Sequence, residues 1–182
     1  CRHSLGLLPL MVEIIGGVLA YLLLFLHYEG FVFEDETILL LRDVYIIWVF
    51  GHIFLYDFLY MKVRDAVVIP AAVTLFVVSG AFGLQDYQSM MLGVLVGGGF
   101  FLVQYAISRG ALVGLGDVTI GVLMGVVLGW PLTVFGLIIS YVIGAIVELL
   151  FALFMRRSKG DKVSLGIYLA IGTVVCVVGR IV

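Results

Sequence analysis

Seven long apolar stretches divide this chain, and they constrain its fold more than any other feature. Most of them approach the length of about 20 apolar residues with which an α-helix crosses the hydrocarbon core of a membrane. The stretches cover residues 7–27, 38–58, 66–83, 88–108, 117–130, 132–155 and 163–181. The composition agrees, because 64% of the residues are hydrophobic and only 12% are charged. We therefore predict an all-α, polytopic membrane protein with about seven transmembrane helices.

The basic residues predict the orientation of the chain in the membrane. Eight of the ten fall in segments that the seven spans would place on one side. These eight are Arg2, Lys62, Arg64, Arg109, Arg156, Arg157, Lys159 and Lys162. Because loops rich in Lys and Arg stay in the cytoplasm, we expect a multi-pass protein of the cell membrane with a cytoplasmic N-terminus. Membrane lipid is then a partner, whereas the net charge of −2 argues against nucleic acid.

Two aspartates are expected to lie at the cytoplasmic ends of helices. Asp57 closes the second stretch, and Asp117 opens the fifth, directly after Gly114 and Gly116 in "GLGD". One out-and-back pair of helices separates the two aspartates, so both should reach the same face at the same depth. Two carboxylates at close range share one proton, and such a pair can activate water and polarise a carbonyl group. The two glycines would let a peptide approach the backbone closely. The pattern therefore indicates an aspartic protease.

The two aspartates are also compatible with structural or transport roles. An aspartate at the start of a helix is usually an N-cap, and one beside basic residues at the end of a span is usually only solvated. Paired aspartates also relay protons or bind cations in small membrane transporters. Transport predicts carboxylates near the midplane and an inverted repeat, and neither is evident here. A non-catalytic membrane subunit is a further alternative.

The two motifs resemble those of the bacterial type IV prepilin peptidases, which are GxGD aspartic peptidases. One is "DFLYMKVRD", from Asp57 to Asp65, and the other is "GLGD", which ends at Asp117. The resemblance implies a single transmembrane peptidase domain over residues 1–182, with the GxGD peptidase-like bundle. It implies a hydrolase of type IV pilus assembly or protein secretion that cleaves the leader peptide of prepilin or pseudopilin precursors. Asp57 and Asp117 would be catalytic, and no cofactor would be needed. The supporting residues would be Gly114, Gly116, Asp65 and Glu13.

The chain departs from the family pattern at several positions. Arg64 stands where the family usually has proline, and Thr119 stands where it often has Lys or Arg. Of the family's paired CxxC motifs only Cys1 remains. We expect the family's N-terminal helix and cytoplasmic cysteine loop to be missing or truncated here. Because that loop is associated with N-methylation, peptidase activity is expected, and S-adenosylmethionine would be a cofactor only if the methyltransferase activity is retained.

Other polar residues in apolar stretches have structural interpretations. We predict that Asp65 is the N-cap of the third span and that Glu13 orients the catalytic site. For Glu148, a hydrogen bond to a neighbouring helix and a direct role both remain open. His52 and Cys176 are predicted to be packing residues. Two aspartates with no nearby histidine predict no metal site.

Glycines recur every four residues in the fourth and fifth stretches. The residues concerned are Gly93, Gly97, Gly121, Gly125 and Gly129. Small residues four apart let membrane helices pack backbone to backbone. The spacing predicts close packing of these two helices, which would help to hold Asp117 in place. Formation of a homo-oligomer through the same glycines is the alternative.

Overall fold

The computed structural model describes residues 35–154 and 164–181. Within these residues, all regular secondary structure is helical. The helices are α1 (Asp35–Tyr60), α2 (Asp65–Ala81), α3 (Tyr87–Ser108), α4 (Leu115–Leu128), α5 (Leu132–Phe154) and α6 (Leu165–Ile181). They confirm the helical fold class and lie within a few residues of the last six predicted stretches. The first predicted stretch, residues 7–27, lies outside the described residues.

Three of these helices are long and apolar enough to cross a membrane. Their spans are Thr37–Tyr60, Tyr87–Ser108 and Leu132–Phe154. The other three, α2, α4 and α6, are shorter apolar helices. An apolar helix satisfies its backbone hydrogen bonds internally, which is what the interior of a lipid bilayer requires. The structure thus supports a helical membrane protein, while the total of seven spans stays a prediction.

The chain divides into two compact units, residues 1–41 and 42–182. Of the first unit, the structure describes only Asp35–Leu41, which form the first turns of a helix. The second unit contains the rest of α1 and all of α2 to α6. Its core is a cluster of large apolar side chains. The largest that are almost fully buried include Phe50, Phe101, Ile120, Leu123, Met124 and Leu169.

Helix α4 is the central element of the second unit. It is only 14 residues long, yet eight of these residues are buried. It packs against α2, α3, α5 and α6. The helix ends where Gly129 adopts a positive φ of 64° and its N–H donates to the carbonyl oxygen of Gly125. This end confirms the short fifth stretch. Because four helices pack against α4, protein surrounds the helix that carries Asp117.

The glycines of α3 and α4 face one another. A Cβ atom built on Gly125 would lie 2.4 Å from backbone atoms of Gly93 and Val94. One built on Gly121 would lie 2.6 Å from the carbonyl oxygen of Gly97. Real side chains do not fit at these distances, so the glycines allow direct backbone contact. The predicted close packing of these two helices is confirmed. The stripe of glycines that recur every four residues along α3 and α4 makes its contacts between two helices of the same chain.

One charged pair is buried in α1. Arg42 donates from Nε and Nη2 to Oδ1 of Asp43, at 2.9 and 2.7 Å. Both side chains are buried. An isolated charge is expensive in an apolar environment, and a close hydrogen-bonded partner offsets that cost. The pair shows how a helix of membrane-spanning length accommodates an arginine.

Candidate active site

A cavity of about 570 Å³ opens at one end of the helices. Helix α1 ends at this cavity, and α2, α4 and α6 begin there. Its lining residues are Asp57, Met61, Lys62, Val63, Asp65, Gly110, Ala111, Leu112, Val113, Gly114, Gly116, Asp117, Ser164 and Leu165. The volume is in the range of small-molecule and peptide sites. Both predicted catalytic aspartates, Asp57 and Asp117, are among these lining residues.

Asp57 lies in the last turn of α1 and is 5% exposed. Its Oδ2 atom accepts a short hydrogen bond from the hydroxyl group of Ser164. The same oxygen lies 3.2 Å from the backbone N–H of Ile167, which also donates to it. Both donors belong to the start of α6, where the backbone N–H groups have no partner within their own helix. A buried carboxylate needs such donors, and here the distant helix α6 supplies them.

Asp117 lies in the first turn of α4 and is partly buried. Its Oδ2 atom accepts from the backbone N–H of Gly114 at 2.9 Å. In return, the N–H of Asp117 donates to the carbonyl oxygen of Gly114 at 3.2 Å. The carboxylate thus forms the half of a capping box that the N3 side chain supplies, while the backbone carbonyl of Gly114 takes the place of the N-cap side chain. Asp117 therefore caps its own helix as well as lining the cavity.

The two aspartates belong to one site. Both line the same cavity. Sixty residues separate them in the chain, and they reach the cavity from opposite directions, at the end of α1 and the start of α4. Two carboxylates so placed can divide the work of general base and general acid on a water molecule and a carbonyl group.

The two glycines of "GLGD" are in different surroundings. A Cβ atom on Gly116 would lie 2.6 Å from Cβ of Val63, so the side chain of Val63 occupies the space that a side chain of residue 116 would need. At Gly114 the nearest side-chain atom to such a Cβ is Oδ2 of Asp117, at 3.7 Å, which is an ordinary contact. The Gly114 backbone, with φ −87° and ψ 165°, is also open to any residue. Packing thus explains Gly116, whereas Gly114 is an exposed part of the cavity wall.

Asp65 lies at the rim of the cavity and is exposed. Helix α2 begins at Asp65, and its N-cap residue is Arg64 rather than the predicted Asp65. The Asp65 carboxylate instead accepts a hydrogen bond from the hydroxyl group of Thr119, with 2.8 Å between Oδ1 and Oγ1. The N-cap therefore lies one residue before the predicted position. Asp65 instead accepts a hydrogen bond that connects the start of α2 to α4.

The remaining predicted residues fall into two groups. Glu13 and Cys1 lie outside the described residues. His52 is buried and its ring lies 5.9 Å from that of Tyr56, which agrees with a packing role. Glu148 accepts a hydrogen bond from the Tyr168 hydroxyl group at 2.8 Å, which realises the interhelical hydrogen bond that was one of its two interpretations. Cys176 is buried in the apolar core.

Two residues at this site had no predicted role, Ser164 and Gly166. Ser164 directly precedes α6, and a serine before an apolar helical run is an N-cap signal in the sequence. That signal identifies the start of a helix but not the carboxylate that meets it. A Cβ atom on Gly166 would lie 2.5 Å from Oδ2 of Asp57, which no local pattern reveals.

The carboxylates of the cavity are not arranged as a metal site. Over residues 35–154 and 164–181, no group of three His, Cys, Asp or Glu side chains is placed to hold a metal ion. The predicted absence of a metal or cofactor stays a prediction.

The fold and the cavity define a class, a helical membrane protein that brings two carboxylates to one cavity at the ends of its helices. Residues 44–149 match the family model of the type IV leader peptidase family. The match spans more than half of the chain and includes both aspartates and the "GLGD" motif. The chain therefore belongs to the type IV leader peptidase family, and the resemblance seen in its motifs is confirmed. No match was found among curated proteins or among solved structures.

Membership of this family makes the chain a membrane protein related to peptidases that act on precursor proteins. Asp57, Asp65, Gly114, Gly116 and Asp117 all lie within the matched region. The start of α6, with Ser164 and Gly166, lies beyond it.

Proposed function

We propose that this chain is an aspartic endopeptidase that cleaves the leader peptide of type IV prepilin or pseudopilin precursors. The observation that carries the proposal is that Asp57 and Asp117 line one cavity. One carboxylate takes a proton from the attacking water, and the other donates a proton to the carbonyl oxygen of the scissile bond. The carboxylates themselves supply this chemistry, so the proposed hydrolysis uses no cofactor.

The position of the cavity supports cleavage at a membrane boundary. The cavity lies at helix ends rather than midway along them. A precursor with its own apolar helix in the bilayer would present the bond next to that helix at this depth. Lys62 lines the cavity and Arg109 caps the end of α3. Because basic loops stay in the cytoplasm, the proposal places the cavity on the cytoplasmic face of the inner membrane, in a seven-span protein with a cytoplasmic N-terminus.

The test is cleavage of a model prepilin in detergent by the full-length protein and its Asp57→Asn and Asp117→Asn variants. Asparagine keeps the size of each side chain but can neither accept the proton of the attacking water as a carboxylate does nor donate one as a carboxylic acid does. We expect each variant to lose at least about 1,000-fold in kcat, as is typical when a central catalytic group is removed. The matched control is Asp86→Asn. Asp86 is the N-cap of α3, and it is the other end of α3, before Gly110, that reaches the cavity.

Loss of cleavage in both active-site variants, with the unfolding temperature and the Asp86→Asn activity preserved, supports the peptidase. Wild-type cleavage by either variant would remove that residue from the mechanism. If both variants cleaved normally, the proposal would be wrong, and ion flux across vesicles would test the proton or cation pathway instead.

A further inference from the structure

The start of α6 holds Asp57 by one of its two carboxylate oxygens. The Ser164 hydroxyl group and the Ile167 N–H both donate to Oδ2. Within the described part of the chain, no hydrogen bond reaches Oδ1. We propose that Ser164 and Gly166 are positioning residues, which fix Oδ2 so that Oδ1 faces the reacting water. This inference rests on the proposed peptidase function.

Gly166 makes this contact sterically feasible. A Cβ atom there would lie 2.5 Å from Oδ2 and 3.1 Å from Cγ of Asp57, and 3.2 Å from Cδ1 of Ile120. The carboxylate therefore occupies the space of the missing side chain. This close approach brings Oδ2 within 3.2 Å of the Ile167 N–H. With any larger residue at position 166, the Asp57 side chain must rotate or α6 must move away.

Burial makes the two donors necessary. Asp57 is 5% exposed, so the Oδ2 atom that contacts α6 depends on donors from the protein, because an unpartnered buried acceptor is costly. In the proposal, the other oxygen, Oδ1, is satisfied by the reacting water in the cavity that Asp57 lines. Asp117 differs, because its hydrogen bond comes from Gly114, three residues away on the same helix start. Helix α4 thus orients Asp117 locally, whereas the orientation of Asp57 depends on a helix that begins more than 100 residues later in the chain.

Two matched pairs of variants test the proposal in the full-length protein. Ser164→Ala removes the hydroxyl donor, and Thr173→Val is its control. Thr173 is a buried hydroxyl residue of α6 whose Oγ1 donates to the carbonyl oxygen of Leu169 in its own helix. Gly166→Ala adds a methyl group against Asp57, and Gly179→Ala is its control. Gly179 also lies in α6, and a Cβ atom there meets nothing within 4 Å.

The measurement is kcat and KM for cleavage of a model prepilin, together with thermal unfolding. We expect Ser164→Ala and Gly166→Ala to lower kcat by about 10- to 100-fold, because a catalytic group displaced by a fraction of an ångström to one ångström loses that much. KM should change by less than about threefold, since substrate binding is not altered. Ser164→Thr should restore most of the activity because it restores the hydroxyl group. Thr173→Val and Gly179→Ala should cleave as the wild type does.

The outcomes separate this inference from the proposed function. If Asp57→Asn and Asp117→Asn abolish cleavage while Ser164→Ala keeps kcat within twofold of wild type, the positioning role is wrong and the peptidase stands. A rise in KM alone, or failure of Ser164→Thr to restore activity, also overturns the positioning role. If Gly166→Ala does not fold, the comparison of Ser164→Ala with Ser164→Thr decides the question.

Discussion

The contact between α3 and α4 and the cavity at the helix ends both depend on glycine, but for different reasons. In the contact, the missing side chains bring two backbones together, as at Gly93 and Gly125. Around the cavity, a missing side chain leaves room for the side chain of another residue: Val63 lies against Gly116, and Asp57 lies against Gly166. Backbone atoms cannot rotate away from an added methyl group, whereas side chains can.

The two regions also differ in how far apart in sequence their parts lie. The helices α3 and α4 follow each other in the chain, and their glycines bring the two backbones into contact. The cavity brings together the end of α1, the start of α4 and the start of α6 through hydrogen bonds and charges. We therefore expect changes in the α3–α4 contact to lower the stability most, and changes of the hydrogen-bonded side chains at the cavity to reduce its chemistry while the fold persists.

The largest effect on folding is expected for Gly125→Ala. The added Cβ atom would lie 2.4 Å from the backbone of Gly93 and Val94, so the two helices must separate. Overpacking a core costs about 1–3 kcal/mol and occasionally more, and we expect a value of about 3 kcal/mol because backbone atoms cannot adjust. Unfolding by SDS titration in mixed micelles measures this change in the free energy of unfolding.

The control for this variant is Gly99→Ala in α3, where a Cβ atom meets nothing within 4 Å. We expect it to leave the stability within about 1 kcal/mol of wild type, in the range by which helix propensity separates Ala from Gly. Equal stability of the Gly125→Ala and Gly99→Ala proteins would contradict the backbone contact between α3 and α4. It would also contradict the proposed difference between this contact and the cavity.

A smaller effect is expected for Gly116→Ala. Its Cβ atom would lie 2.6 Å from Cβ and 2.8 Å from Cγ2 of Val63, so the collision is with a side chain. We expect a loss of about 1–2 kcal/mol in the free energy of unfolding. The double variant Val63→Ala with Gly116→Ala should recover about 1 kcal/mol of this, because the two residues compete for one space.

Gly114→Ala is the matched control, since only an ordinary contact of 3.7 Å awaits its Cβ atom. Gly114 is the N-cap of α4, where alanine is less favourable than glycine, so its stability should fall by about 0.5–1 kcal/mol and by less than that of Gly116→Ala. A double variant no more stable than Gly116→Ala alone would show that Val63 does not fill the space beside Gly116.

The helices were predictable because each apolar stretch is bounded by polar residues or by proline. The predicted 88–108 is Tyr87–Ser108 in the structure, and the predicted 132–155 is Leu132–Phe154. In a membrane, hydrophobic length and backbone hydrogen bonding leave little alternative to such helices. The stripe of glycines in α3 and α4 was equally readable, since its period matches the turns of a helix.

The contacts of the site were less predictable. Asp57 and Asp117 could be assigned to one membrane face, because counting the spans is enough to determine the face. Counting does not determine which side chains meet there. The hydrogen bond from Ser164 to Asp57 also depends on the rotation and depth of α6 relative to α1, and interhelical packing sets both. The side chain of Val63 beside Gly116 is hidden for the same reason, and so Gly116 was assigned to substrate approach alone. Local sequence patterns carry no information about such neighbours.

The smallest effect is expected where a polar contact of the cavity reaches solvent, at Thr119 and Asp65. Asp65 is exposed, and a hydrogen bond that water can replace contributes only about 0.5–1.5 kcal/mol. Thr119→Val keeps the shape of the side chain but removes the hydroxyl group, which lies 2.8 Å from both Oδ1 of Asp65 and the carbonyl oxygen of Gly116. The free energy of unfolding should therefore fall by about 1 kcal/mol or less. We expect kcat for prepilin cleavage to stay within about threefold of wild type, and Thr119→Ser, which keeps the hydroxyl group, to match wild type in both measurements. A loss of more than tenfold in kcat by a stably folded Thr119→Val protein would contradict the expectation that this substitution has the smallest effect. The rim of the cavity would then be as important to the chemistry as the contact between Ser164 and Asp57.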